Sequence, residues 1–183
     1  MSERAGEAGP AGVLVVGIGN ELLRDEGLGI HVARALAAAS GALPDSVEVI
    51  EGGLALLDLA PEMARRERVI LVDAVRAGGV PGTVYRIDLE DGFGADLPTE
   101  ASLSLHQWGL ADTLRAIALM GLLPRHLTVI GAEPAVVEPG LDLSPAVAGA
   151  ALRMVAQLLA ELGAPAGTSP AGGRVPLLPS ARM

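Results

Sequence analysis

An apolar strand that runs straight into a glycine turn constrains this chain more than any other feature. Residues 13–29 read VLVVGIGNELLRDEGLG. Residues 13–16 offer no polar face, so they suit a strand covered on both sides. The Gly17-Ile18-Gly19 turn carries few side chains and brings backbone close to whatever lies beyond it. An acidic pair, Asp25-Glu26, then opens a helix expected over 25–39, with Leu28, Val32 and Leu36 on one stripe. Phosphates favour the positive end of a helix, and two carboxylates placed there would repel them. The turn therefore suits a cation or acid–base chemistry better than a nucleotide.

The same alternation continues along the chain. Strands are expected at 46–50, ending in Glu51-Gly52-Gly53, at 69–72, closing at Asp73, and at 127–130. Helices are expected over 54–66, with Pro61 near a start or break, over 107–120, stopped at Gly121, and from the Ser144-Pro145 cap pair to about 162. Residues 83–88, after the Pro81-Gly82 turn, read as a short antiparallel edge strand. Strands alternating with helices imply parallel βαβ units, hence an α/β fold: a three-layer α/β/α sandwich around a twisted, mostly parallel sheet of about five strands. The domain is expected to span 13–163, between a flexible N-terminus at 1–12 and a flexible Pro/Gly/Ala-rich tail at 164–183. The acidic stretch 89–105 is long enough for a loop that covers a site as a lid.

Bulk composition removes several classes of function. Half of the 183 residues are hydrophobic, yet the chain has one Phe, one Tyr and one Trp, so its core is aliphatic. A net charge of −9 opposes non-specific nucleic-acid binding and attraction to an anionic membrane. The absence of Cys excludes disulfides, thiolate metal sites and cysteine nucleophiles. No signal-peptide pattern and no apolar run of roughly 18–20 residues is present, which leads to the expectation of a cytoplasmic protein.

In open parallel sheets, sites form outside the carboxyl ends of the strands. The residues just past those ends are 17–26, Glu51-Gly52-Gly53, Asp73 and Glu133, which lines several carboxylates along one edge. Each also has an ordinary reading. Asp25 and Glu26 suit a first helical turn, Asp73 a turn after its strand, and His106 a helix entry. Taken together, two carboxylates and an imidazole from three segments form a ligand set for a divalent ion. No HExxH pair and no GxSxG elbow occurs, which counts against a zincin and a serine hydrolase. A dinucleotide fingerprint fails because Leu22 stands where the third glycine belongs, although Glu51 is placed like a ribose-binding acid. The glycines of the two turns, Gly17, Gly19, Gly52 and Gly53, with Asn20, are the places where a substrate can approach the sheet edge closely.

These motifs together resemble one family. GIGNELLRDEGLG at 17–29, EGG at 51–53, VDAV at 72–75, PGTVYRI at 81–87, SLHQWGLADTL at 104–114 and GAEPAVVEPGLDLSPAV at 131–147 are similar to the hydrogenase maturation proteases, peptidase family M52. The resemblance covers nearly all of 13–162 and implies an endopeptidase that removes a C-terminal extension from the large-subunit precursor of a nickel–iron hydrogenase after nickel insertion. It places the metal-contacting residues at Glu26, Asp73 and His106, with nickel supplied by the substrate and no nucleotide. It does not settle whether the carboxylates recognise nickel or carry protons as acid and base, and Asp25 stays open between capping, support and catalysis. A nucleotide- or nickel-binding module without protease activity, or an inactive assembly factor, is the alternative.

Overall fold

The computed structural model describes residues 12–89 and 109–163. His106, the 89–105 stretch beyond Leu89, and the terminal segments expected to be flexible, apart from Gly12, lie outside the described residues. Five strands form one sheet: β1 (Val13–Ile18), β2 (Val47–Gly53), β3 (Arg68–Ala74), β4 (Val84–Leu89) and β5 (His126–Ala132). Their order is β2-β1-β3-β5-β4. β1 pairs in parallel with β2 and β3, and β3 with β5, while β4 runs antiparallel along β5 as the edge. The strand expected at 83–88 is this edge.

The apolar strands split their residues between two cores, as a pleat of period two requires. Leu14, Val16 and Ile18 of β1 join Val69, Leu71, Leu127 and Val129 on one face. There they meet α2 (Ala60–Met63) and α3 (Leu110–Leu119), through Ala60, Met63, Leu114 and Ile117. Val15, Ile70, Val72 and Ile130 face the other way, onto α1 (Leu28–Ala38) and α4 (Pro145–Gly163), through Leu28, Val32, Leu36, Met154 and Leu158. The result is the three-layer sandwich read from the sequence. Among the described residues the buried hydrophobics include no aromatic ring. α4, at 19 residues, is long and apolar enough to cross a membrane, but its Val147–Ala150–Met154–Leu158 stripe is buried against the sheet.

Two expected helices differ in extent. Within 54–66 only Ala60–Met63 is α-helical. Before it, the amides of Ala55, Asp58, Leu59 and Ala60 each bond to a carbonyl three residues back, and Pro61 has no N–H to extend an α-helical ladder. The helix expected from Asp25 begins at Leu28, preceded by a separate 3-10 turn over Arg24–Gly27. Arg24 sits in the left-handed region at φ +51°, which breaks the helix on its N-terminal side.

The crossovers diverge at the centre of the sheet. From β1 the chain passes through α1 to β2 on one side, then returns to β3 on the other. This reversal opens a crevice between the carboxyl ends of β1 and β3. Gly29, in the first turn of α1, closes that gap from beneath: a Cβ there would lie 2.2 Å from the carbonyl oxygens of both Ile18 and Val72. Gly29→Ala should therefore force the helix off both strands and cost about 3 kcal/mol, measured as a lowered urea midpoint with the slope unchanged.

Candidate active site

The crevice at the sheet reversal holds an open cleft of about 190 Å³. Gly19 and Asn20 from the β1 turn, Glu26 from the 3-10 turn, Gly53 from the end of β2 and Asp73 from β3 line it together. Leu54, Leu110 and Thr113 form the apolar and helical part of its wall. Glu26 and Asp73 are therefore brought together, as expected. Asp73 lies within β3, not beyond it, and keeps only 8% of its surface exposed. Among the described residues no group of three His, Asp or Glu side chains is set to hold a metal.

Burial raises the Asp73 carboxyl to about 7, and the nearby Glu26 charge pushes in the same direction against one bond from the Ala74 amide. Glu26 is half-buried, and burial raises it too, opposed by the positive charge of Arg76. Two carboxylates in one cleft with their ionised forms disfavoured make a place that a cation would relieve.

Asp25 has the opposite fate. It is fully buried, and it points away from the cleft into the segment that follows β5. Its Oδ2 accepts from the amides of Ala135 and Val136 and from the Ser144 hydroxyl, each at 2.8 Å, and its Oδ1 accepts from the Ser144 amide at 2.6 Å. Burial alone would raise its pKa, but these bonds outweigh it and hold the carboxyl below its ordinary value. Asp25 is thus a buttress outside the cleft. Ser144, read as a helix cap, gives its hydroxyl proton to Asp25.

The glycines divide as well. Gly19 and Gly53 line the cleft with positive φ, at +120° and +55°. Gly17 and Gly52 do not open toward a substrate. A Cβ at Gly17 would lie 2.1 Å from the Gly29 carbonyl oxygen, and one at Gly52 would lie 2.7 Å from a Val16 methyl. Both glycines serve packing of the protein on itself. Glu51, the residue placed like a ribose-binding acid, accepts two bonds from Arg34, at 3.2 and 2.7 Å.

Two residues, Arg76 and Glu133, act through contacts that no motif marks. Arg76 brings positive charge to Glu26 from the segment after β3. Glu133 is buried and gathers the amides of Ala77 and Gly79 and the Tyr85 hydroxyl on one oxygen, which fixes that same segment. The position of Glu133 at the sheet edge was legible; its bonding to residues about 50 positions earlier in the chain was not.

Fold and site together define an open-sheet α/β protein with a carboxylate cleft at the sheet reversal. The hydrogenase maturation protease family model (HycI) matches residues 30–161. The hydrogenase 2 maturation protease of Escherichia coli (strain K12) is 39% identical over 151 residues, covering 82% of this chain and 90% of that protein. The hydrogenase expression/formation protein HupD of Rhodobacter capsulatus is 38% identical over 154 residues, covering 84% and 72%. Among solved structures, the E. coli hydrogenase maturating endopeptidase HybD superposes with a TM-score of 0.67 at 36% identity, over 82% of this chain and 91% of that one. The chain belongs to the hydrogenase maturation protease family, whose members are peptide-bond hydrolases. That membership sets aside the non-catalytic binding module.

The two buried aspartates should respond to pH in opposite ways. Asp73, whose carboxyl is raised, lends its full stability below the ordinary value of about 4, and this is lost as pH rises toward about 7. Asp73→Asn should then stabilise the metal-free protein by about 2 kcal/mol at pH 8, with the difference vanishing near pH 4. Asp25, whose carboxyl is lowered, stabilises above about pH 4 and loses that contribution as pH falls further. Asp25→Asn should cost about 3 kcal/mol at pH 7. Denaturant titrations of both variants across pH 3–8 check the two signs.

Proposed function

We propose that this protein removes the C-terminal extension of a nickel–iron hydrogenase large-subunit precursor after nickel insertion, and that the nickel carried by the precursor is recognised at the cleft. The observation that carries this reading is the convergence of Glu26 and Asp73, from separate segments, on one cleft with their ionised forms disfavoured. A divalent ion brought by the substrate would reverse that penalty and be held by hard oxygen donors. His106, the third member by resemblance, would add an imidazole nitrogen, which suits nickel better than oxygen donors alone. When bound, the ion supplies Lewis-acid polarisation of a carbonyl or of water.

The chain's own residues then bind and orient. Gly19, Asn20 and Gly53 offer a strip low in side-chain bulk along which the precursor backbone can lie. Leu54, largely exposed at the rim, and Leu110 flank it as apolar contacts for the extension. Asp73 supports a second reading of the chemical step. A carboxyl whose pKa is about 7 is poised to take a proton from the attacking water and return it to the leaving amine at neutral pH. In this reading nickel selects the substrate, and the carboxylate carries the proton.

Nickel recognition is tested by presenting nickel-loaded and nickel-free precursor to the purified protein and following loss of the extension by mass spectrometry. The nickel-free form should be cleaved about 100-fold more slowly. Equal cleavage of the two would overturn it. Asp73→Asn should abolish turnover while still binding precursor if Asp73 carries the proton; unchanged turnover would leave the ion alone in that role.

A further inference from the structure

The Glu26 carboxylate feels the charge of Arg76, but its place in the cleft is set by its backbone. That backbone is held on two sides. On the cleft side, Gly19 lies so close that a Cβ on it would sit 2.0 Å from the Glu26 carbonyl oxygen. On the other side is the segment after β5, and the residues before Glu26 are stitched to it. The Gly140 amide donates to the Leu22 carbonyl at 2.9 Å, the Arg24 amide to the Gly140 carbonyl at 2.9 Å, and the Asp25 amide to the Val136 carbonyl at 3.3 Å. Arg24 adds its side chain to the same seam, bonding the Asp142 carbonyl and Glu138.

The centre of this seam is the Asp25 carboxylate with its four donors. In the 3-10 turn over Arg24–Gly27 successive side chains point about 120° apart, so that Asp25 enters the protein and Glu26 enters the cleft. A neutral amide could not replace the carboxylate, because in either orientation its NH₂ would meet an N–H donor from Ala135, Val136 or Ser144. We infer that Asp25 is a positioning residue: by gathering the Ala135, Val136 and Ser144 donors it locks the Arg24–Gly27 turn against the segment after β5, and so fixes Glu26 opposite Asp73. The inference rests on the reading that Glu26 acts on the precursor, and it assigns to Asp25 a part in turnover beyond fold stability. Displacement of a reacting or binding group by about 1 Å costs roughly 100-fold in rate, so a loosened turn would show in turnover before it showed in folding.

The experiment compares Asp25→Asn, the milder Ser144→Ala, and Glu161→Gln. Glu161 accepts from Arg68 and Arg86 in a half-buried ion-pair cluster that includes no cleft residue, so its loss lowers stability without touching the seam. Two quantities are read well below each variant's melting temperature: kcat and KM on nickel-loaded precursor, and hydrogen exchange at the Glu26 and Gly27 amides. Ser144→Ala should lower kcat about tenfold and Asp25→Asn about 100-fold, with KM within about twofold of wild type. Both should speed exchange at Glu26 and Gly27 while β1 and β3 stay protected. Glu161→Gln should melt earlier yet keep wild-type kcat. Wild-type kcat in folded Ser144→Ala and Asp25→Asn would overturn the inference, as would an equal kcat loss in Glu161→Gln. Should the wild-type protein fail to cleave precursor, the proposed function falls, and the exchange result decides the positioning role separately: accelerated exchange supports it and unchanged exchange overturns it.

Discussion

The carboxyl edge of the sheet depends on how closely the start of α1 approaches the two central strands. Gly29 lets the helix sit on the Ile18 and Val72 carbonyls, and Gly17 gives way to the Gly29 carbonyl from the strand side. Without that approach the turn before α1 could not hang over the gap between β1 and β3. Hydrophobic packing of Leu28, Val32 and Leu36 against Val15 and Ile70 then holds the helix where the glycines allow it to be. The cleft is thus a by-product of close packing below it, which is why it can be lined by short turns above.

Two buried aspartates in this fold do opposite things because their surroundings differ. Asp25 is buried among donors and is held ionised; Asp73 is buried with one amide and a neighbouring negative charge, and its ionised form is disfavoured. Burial pushes both upward and prevails at Asp73; only at Asp25 do the bonds outweigh it. What separates them is the number of N–H and O–H groups aimed at each carboxylate. A carboxylate whose ionised form is favoured and one whose ionised form is disfavoured can therefore be the same residue type in one fold.

Much of the fold was legible in the sequence, and part of the site. The apolar runs at β1 and β3 have no polar face and suit strands covered on both sides, and the alternation of strands with helices indicated the layers. Strand ends placed Glu26 and Asp73 on one sheet edge together with Glu51 and Glu133, and the family resemblance singled out the pair. Asp25 was not separable from Glu26, because its partners stand 110 to 119 residues away. The four glycines of the two turns looked alike, and only the atoms around them distinguish Gly19 and Gly53 from Gly17 and Gly52. Arg24 carried no sign of its left-handed backbone, as arginine is an ordinary helix former. Pro61 did mark a break, but the short reach of α2 depends on turns that propensity alone does not reveal.

Glu133 has one more consequence, through its bond to Tyr85. This is the single tyrosine of the chain, and its hydroxyl donates to Glu133 at 2.9 Å. Burial and the neighbouring carboxylate push its ionisation up to about 12. The ultraviolet absorption of tyrosinate would thus come from one phenol alone, and its appearance at lower alkalinity would report release of the segment that carries Arg76. The protein contains its own optical gauge of how firmly the segment after β3 is held.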